Sequence, residues 1–399
     1  MNSCATDMQT TALSNSNPDT LSEFCQQLFS SLPRSDQRRW AEVYVRGLVS
    51  VPGRKSIRRI SEQVVGWRAD QCLQQLVNQS PWDWQPLRHS LARHVASELP
   101  PRAWVVKEVA FPKNGMSSVA VTRQFASSAG RTLNCQLGLV AFLTGDGGSC
   151  PVNWRLLLPR SWDADPRRRA RAHLPDSEWS APRWQWLLNL IDEMEASRGG
   201  RPVPVVMDLR HEPEMAPLLR ALDKRRLQYV LRVAPQTPLT VAVRPSAARV
   251  TMTAGEIATL SARGTLTAGG RPSAAAETVR SRLAATDITA VDGGLWSAQG
   301  RTRRVVADWV PGQTSPRATW LTSLDGPWLP SMLDSMASLK QASTDLSRMD
   351  DESGLRHFEG RSFRGWHHHV TLVSVAHAHR LLARLGAPDM PDSNALASA

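Results

Sequence analysis

The chain is 399 residues long, 41% of them hydrophobic, with 48 lysines and arginines against 36 aspartates and glutamates. That length is more than one ordinary domain needs, and no run is apolar for long enough to span a membrane. A formal net charge of +12 favours a polyanionic partner, nucleic acid first, over the plainer reading of a merely basic enzyme.

The N-terminal MNSCATDMQTTALSNSNPDT is polar and lacks the basic-plus-apolar pattern of a secretory signal. Residues 1–18 are expected to be a disordered lead. Five cysteines, Cys4, Cys25, Cys72, Cys135 and Cys150, are scattered without a CxxC pair. Reduced thiols in a cytoplasmic protein fit that usage better than a disulfide framework or a zinc ribbon.

Helical spacing dominates residues 19–100, expected to form a DNA-binding domain. TLSEFCQQLFSSL starts after an Asp-Thr cap signal, and RSDQRRWAEVYVRGLVSV repeats apolar residues at helical intervals. GRKSIRRISEQVVGWRADQCLQQLVNQ reads as two short helices joined near Gly66, the spacing of a helix-turn-helix. Arg54, Lys55, Arg58 and Arg59 stand at its start, where they could meet phosphates. An ordinary helical bundle with a solvated basic face gives the same pattern. PWDWQPLRHSLARHVASEL closes the region.

From residue 101 the period changes to that of strands. AWVVKEVAFPKNG, residues 103–115, predicts a buried strand running out to an edge and a basic, Gly-containing turn. SVAVTRQF, NCQLGLVAFL and NWRLLLP follow as further strands. DADPRRRARAHLPD predicts a basic, Pro-flanked loop; Arg167, Arg168, Arg169 and Arg171 make it a candidate phosphate contact, although such runs are usually solvated. A Trp-rich helix, a buried strand ending at Asp208, a second helix (EPEMAPLLRALDKRR) and the strand LQYVLRV come next. Three strands, helix, strand, helix, strand is the order of a ribonuclease H-like core, an α/β fold with a mixed sheet and flanking helices. Residues 235–318, rich in Thr, Val, Ala and Gly, predict a β-rich insertion. The core resumes over 319–386, giving core segments 101–234 and 319–386, and 387–399 reads as a disordered tail.

At this point the chain resembles the insertion-sequence transposases of the DDE superfamily, in the group with a long β insertion before the final catalytic helix. The blocks carrying the resemblance include RRWAEVYVRGLVS, FPKNGMSSVAVTRQFASSAGRTLNCQLGLVAFL, VNWRLLLPRSW, LLRALDKRRLQYVLRV and GLRHFEGRSFRGWHHHVTLVSVAHA. The resemblance implies double-stranded DNA as partner, and a second copy of the chain, since such enzymes pair on two DNA ends. It also implies three carboxylates holding two Mg²⁺ (or Mn²⁺) ions, one activating the attacking oxygen and one steadying the leaving oxygen. Lys113, in the FPKNG turn, occupies a family-like position near the bound backbone, and Arg361 and Arg364 join the candidate DNA contacts. No GxxxxGK[ST] loop is present, so no nucleotide cofactor is indicated.

Of the three ligand positions the resemblance implies, only Asp208 carries its carboxylate. Lys107, followed by Glu108, stands where the family strand ends in acidic residues, and Ser343 stands where the family carries Glu. Glu108 should point away from Lys107, because side chains alternate across a strand. Asp345 lies two residues from Ser343, about 200° around a helix, and Asp350 is about 10 Å further along the axis. Lys107 should repel divalent ions and pair with Asp208. The reading is therefore a DNA-binding protein of transposase type that has lost cleavage, needs no cofactor, and serves as a regulatory or architectural factor at the nucleoid. Two alternatives stand beside it. One is an active cut-and-paste enzyme with Mg²⁺ or Mn²⁺ on Glu108, Asp208 and Asp345 or Glu352. The other is a basic module that meets an acidic protein.

Two further features invite functional readings. His367, His368 and His369, with His377 and His379, contain no i, i+4 pair, which favours structural or DNA-backbone roles over metal binding. Among the 15 tryptophans, most are expected to fill cores, while Trp296, Trp309 and Trp320, in or beside the insertion, could stack on an unpaired base.

Overall fold

The computed structural model describes residues 18–197, 202–243, 248–262, 273–278, 281–289, 302–310 and 312–386. The expected lead, up to residue 17, and the expected tail, 387–399, lie outside the described residues.

The N-terminal region packs as α1 (Pro18–Phe29), α2 (Ser35–Ser50), α3 (Ile57–Ile60), α4 (Asp70–Gln74) and α5 (Trp84–Glu98). In α2 the buried residues Gln37, Ala41, Tyr44, Val45 and Leu48 recur at helical spacing and form one inward stripe. Gly47 belongs to that stripe because a Cβ there would meet the Ile60 side chain at 2.4 Å. Both α3 and α4 run on into a π-helical turn, Ser61–Val65 and Gln75–Gln79. The first ends at Gly66 in the left-handed region, φ 77°, a conformation glycine adopts without penalty. This is the junction the sequence indicated.

Among the described residues, ten strands share one sheet. β1 (Ala103–Pro112) lies inside it, flanked by β3 (Arg131–Gly145) and β5 (Val205–Asp208). β3 carries β2 (Thr122–Ala126) and β4 (Gly148–Leu157) on its far side, and β5 is followed by β6 (Tyr229–Val233). β1 pairs antiparallel with β3 and parallel with β5, and β5 is parallel to β6. That order and polarity define a ribonuclease H-like sheet. Between them run α6 (Pro166–Arg171), α7 (Arg183–Ser197) and α8 (Met215–Lys224). α6 corrects the expectation of a basic loop: Asp165 caps it, accepting from the Arg168 backbone N–H at 2.9 Å, and Pro166 opens its first turn. Both are helix-start signals that the arginine run obscured.

The insertion forms a separate hairpin, β7 (Pro238–Val243) with β8 (Ala248–Thr253), then α9 (Ala254–Ala262). Its strands β9 (Ser273–Thr278), β10 (Ser281–Thr289) and β11 (Thr302–Trp309) join the main sheet through β12 (Ala318–Thr322), which pairs antiparallel with β6. α10 (Trp328–Ser353) then crosses the sheet and α11 (Phe363–Gly386) closes the chain.

β1 is buried from Ala103 to Phe111 with one partial exception, Lys107. α11 is buried almost all round from Phe363 to His379, the behaviour of a helix inside the core. Its histidines are structural. The His367 ring stacks on Trp84 (4.4 Å, 4°) and receives the Arg88 guanidinium at Nδ1, 3.1 Å. His368 stacks on Trp82 (3.7 Å, 9°), His369 lies between the Tyr44 hydroxyl and the Leu355 carbonyl, each 3.0 Å away, and His377 donates to the Ser149 carbonyl at 2.9 Å. Burial holds the His367, His369 and His377 pKa values below the ordinary histidine range, His369 at about 4.

Candidate functional site

The carboxyl end of β5, beside the middle of β1 and one flank of α10, opens into a cleft of about 430 Å³. Ligand crevices outside the carboxyl ends of parallel strands are a general property of open α/β sheets. Three side chains that the sequence placed at the ligand positions line it together: Lys107, Asp208 and Ser343.

The pairing of β1 with β5 sets this meeting. Val106 lies opposite Met207, so Lys107 and Asp208 are level on neighbouring strands. Lys107 Nζ donates to Ser343 Oγ at 2.8 Å, and Ser343 Oγ donates back to the Leu339 carbonyl of its own helix at 2.8 Å. The expected Lys107–Asp208 pair is corrected: the Asp208 carboxylate is occupied by Arg210. The guanidinium reaches Oδ1 at 2.9 Å through Nε and Oδ2 at 2.8 Å through Nη2, and the Arg210 backbone N–H adds a 3.3 Å contact. Arg232, opposite Asp208 on β6, stands 3.8 Å away.

The electrostatics follow. Burial alone would raise the Asp208 pKa, but the hydrogen-bonded charge of Arg210, aided by Arg232, holds the carboxyl below its ordinary range. Burial pushes the Lys107 ammonium down; Asp208 opposes this, and Arg210 and Arg232 add to the depression. Lys107, Arg210 and Arg232 thus surround one carboxylate. Arg183 and Arg356 line the same cleft, Arg183 paired with Glu108 and Glu212, and Arg356 with Asp350. Sequence reasoning missed Arg183, Arg210, Arg232 and Arg356. Arg210 could have been found from the VMDLR spacing, whereas Arg232 needed the strand register.

Divalent ions do not fit this donor set. Both Asp208 oxygens are engaged by a guanidinium and an ammonium stands alongside, whereas Mg²⁺ requires several free oxygen ligands. Among the described residues no group of three His, Cys, Asp or Glu side chains is arranged to hold an ion. The substitutes are committed elsewhere. Glu108, 7% exposed, accepts from Arg183 and from the Ser128 backbone N–H at 3.1 Å. Asp345, expected as a stand-in, is fully buried on another side of α10, accepting from the Ser149 N–H (2.9 Å), the Ser149 hydroxyl (2.8 Å) and Gln341 (2.8 Å). Glu352 pairs with Arg380 at 2.9 Å.

The expected DNA contacts divide into three groups. Lys55 and Arg169 are corrections: each is buried, Lys55 against the Val51 carbonyl and Arg169 on the Pro175 and Glu178 carbonyls. Arg54 and Arg58 are exposed but paired with Glu359 and Glu62, Lys113 donates to the Phe358 carbonyl at 2.7 Å, and Arg364 to the Gln79 carbonyl at 3.0 Å. Arg168 lies over the Trp162 ring at 4.1 Å. Arg167, Arg171 and Arg361 face solvent, and Arg59 is half-exposed. Trp320 is buried at 4% exposure and Trp309 is half-buried, which removes Trp320 from the candidate base contacts. Trp296 lies outside the described residues.

The sheet and cleft define a ribonuclease H-like α/β protein. The DDE superfamily endonuclease family matches residues 27–293, and the chain belongs to that family. The match includes Lys107 and Asp208 and stops before α10, so the position of Ser343 rests on the shared cleft. No curated protein matches the chain. Among solved structures, it is similar to a piggyBac transposase synaptic complex with hairpin DNA, determined by cryo-EM, at 11% identity and a TM-score of 0.41, covering 93% of this chain and 80% of that one. No helix among the described residues is long and apolar enough to cross a membrane.

Proposed function

We propose that this protein binds DNA through the transposase cleft and has lost metal-dependent strand cleavage. The observation that carries the reading is the 2.8 Å hydrogen bond from Lys107 to Ser343, beside an Asp208 whose carboxylate is held by Arg210. Where the family chemistry uses two cations on three carboxylates, this chain supplies its own cations as side chains. Such groups attract a phosphodiester but activate no water and hold no leaving oxygen as a metal pair does. The role that follows is regulatory or architectural, at the nucleoid, and pairing of two copies on DNA is part of the proposal.

Two measurements test it. Fluorescence anisotropy with labelled duplex in EDTA should show binding whose log K falls linearly with log salt, by about 0.9 per phosphate neutralised. A slope near zero would instead favour an acidic protein as partner. Incubation of a supercoiled plasmid carrying the element ends with Mg²⁺ or Mn²⁺ should leave it intact; metal-dependent nicking that disappears in Asp208→Ala would overturn the proposal.

A further inference from the structure

An aromatic pair stands at the rim of the cleft, outside every role assigned above. Phe125 is 48% exposed on β2, an edge strand of the sheet. An apolar ring of that size left open on an edge strand has free energy to gain by burial against a partner. Its ring meets His211 edge-on at 5.4 Å and 66°, and His211 lines the cleft. The residues that follow Phe125 lead inward: Ser127 and Ser128 also line the cleft, and Ser128 is tied to Glu108. On the same face of β2, two residues back, Arg123 is exposed as well. An exposed aromatic thus sits between a surface arginine and a cavity rich in cations.

Paired bases in a duplex are stacked on each other and offer no face to such a ring. Unpaired bases do, and a cationic groove with interleaved aromatics is the general device for single strands. Resting on the DNA-binding reading of this cleft, we propose that Phe125, with His211 beside it, stacks an unpaired base while the adjoining phosphate enters among Lys107, Arg210 and Arg232. The preferred ligand is then single-stranded DNA, or a duplex end opened into one, over intact duplex. The stacking is sequence-tolerant because every base has a flat face.

The test compares a labelled oligo-dT strand with a labelled duplex minicircle, which has neither loop nor end, by anisotropy in EDTA. Wild-type protein should favour oligo-dT. Phe125→Ala should weaken oligo-dT binding by roughly 5- to 150-fold, the range of one lost base stack, and leave the duplex minicircle unchanged. Phe125→Trp should retain oligo-dT binding, and unchanged melting temperatures should confirm that this exposed site does not alter the fold. Lys107→Met combined with Arg232→Met should weaken both ligands. Oligo-dT binding that survives Phe125→Ala, or an equal loss on both ligands, overturns the stacking proposal while leaving the DNA-binding reading standing. Wild-type protein that binds neither ligand removes both.

Discussion

Two polar clusters in this molecule use similar residue types to opposite ends. Around α11, Arg88 sends its guanidinium to Thr371, Asn153, the Trp154 carbonyl and His367, while His369 and His377 end on a fixed hydroxyl or carbonyl. The cluster is buried and closed on itself, with a small pocket of about 40 Å³ bordering Arg88 and Asn153. At the end of β5 the cations outnumber the carboxylates and face a cleft. A polar network that satisfies itself inside a core is structural; one that retains excess charge beside solvent is poised for a partner. Neither residue identity nor spacing separates the two cases, because the difference lies in what each group faces.

The largest effects that would break this comparison lie in the closed cluster. Arg88→Ala should cost about 3–5 kcal/mol in urea unfolding, since it leaves several buried acceptors without donors. A cost near zero would mean that the cluster is not closed. Acidification should come next. His367, His369 and His377 have folded-state pKa values below the ordinary value, so below about pH 6.5 the unfolded chain takes up protons that the folded chain refuses. Their contribution to stability is complete above that pH. It should fall on acidification by about 1.4 kcal/mol per pH unit for each histidine, until the folded groups themselves titrate. Denaturant midpoints that stay flat from pH 7 to pH 5 would contradict this.

Smaller effects sharpen the other side of the comparison. Arg232→Met should weaken duplex binding about fivefold, roughly 1 kcal/mol, and lower the salt slope by about one, with no change between DNA sequences. Asp208→Asn should tighten DNA binding by a few-fold, because it removes a negative charge beside Lys107 and frees Arg210. An enzyme relying on Asp208 for metal would lose Mn²⁺ binding with the same change, whereas this protein should have none to lose.

How much of this was legible in the sequence follows the same division. The central strand was legible, because a run such as AWVVKEVAF, buried on both faces, has few other readings. The meeting of positions 107, 208 and 343 was also anticipated, through the resemblance. The fate of individual cations was not. Lys55 and Arg169 look like surface charges in sequence, yet one lies against a helix-end carbonyl and the other under Trp179. Lys107 was expected to pair with Asp208, but Arg210, two residues on, reaches the carboxylate with a two-pronged geometry that a lysine lacks. Asp345 illustrates the converse: an acid near the expected site in sequence, turned by helix geometry into a buried anchor for β4.

Loss of the metal site is read most directly from the affinity of the wild-type protein for Mn²⁺, measured by electron paramagnetic resonance as loss of the free-ion signal. The wild type should show no stoichiometric binding, and binding should be gained when Lys107→Asp and Ser343→Glu are combined. Tight stoichiometric Mn²⁺ in the wild type, lost in Asp208→Ala, would contradict it.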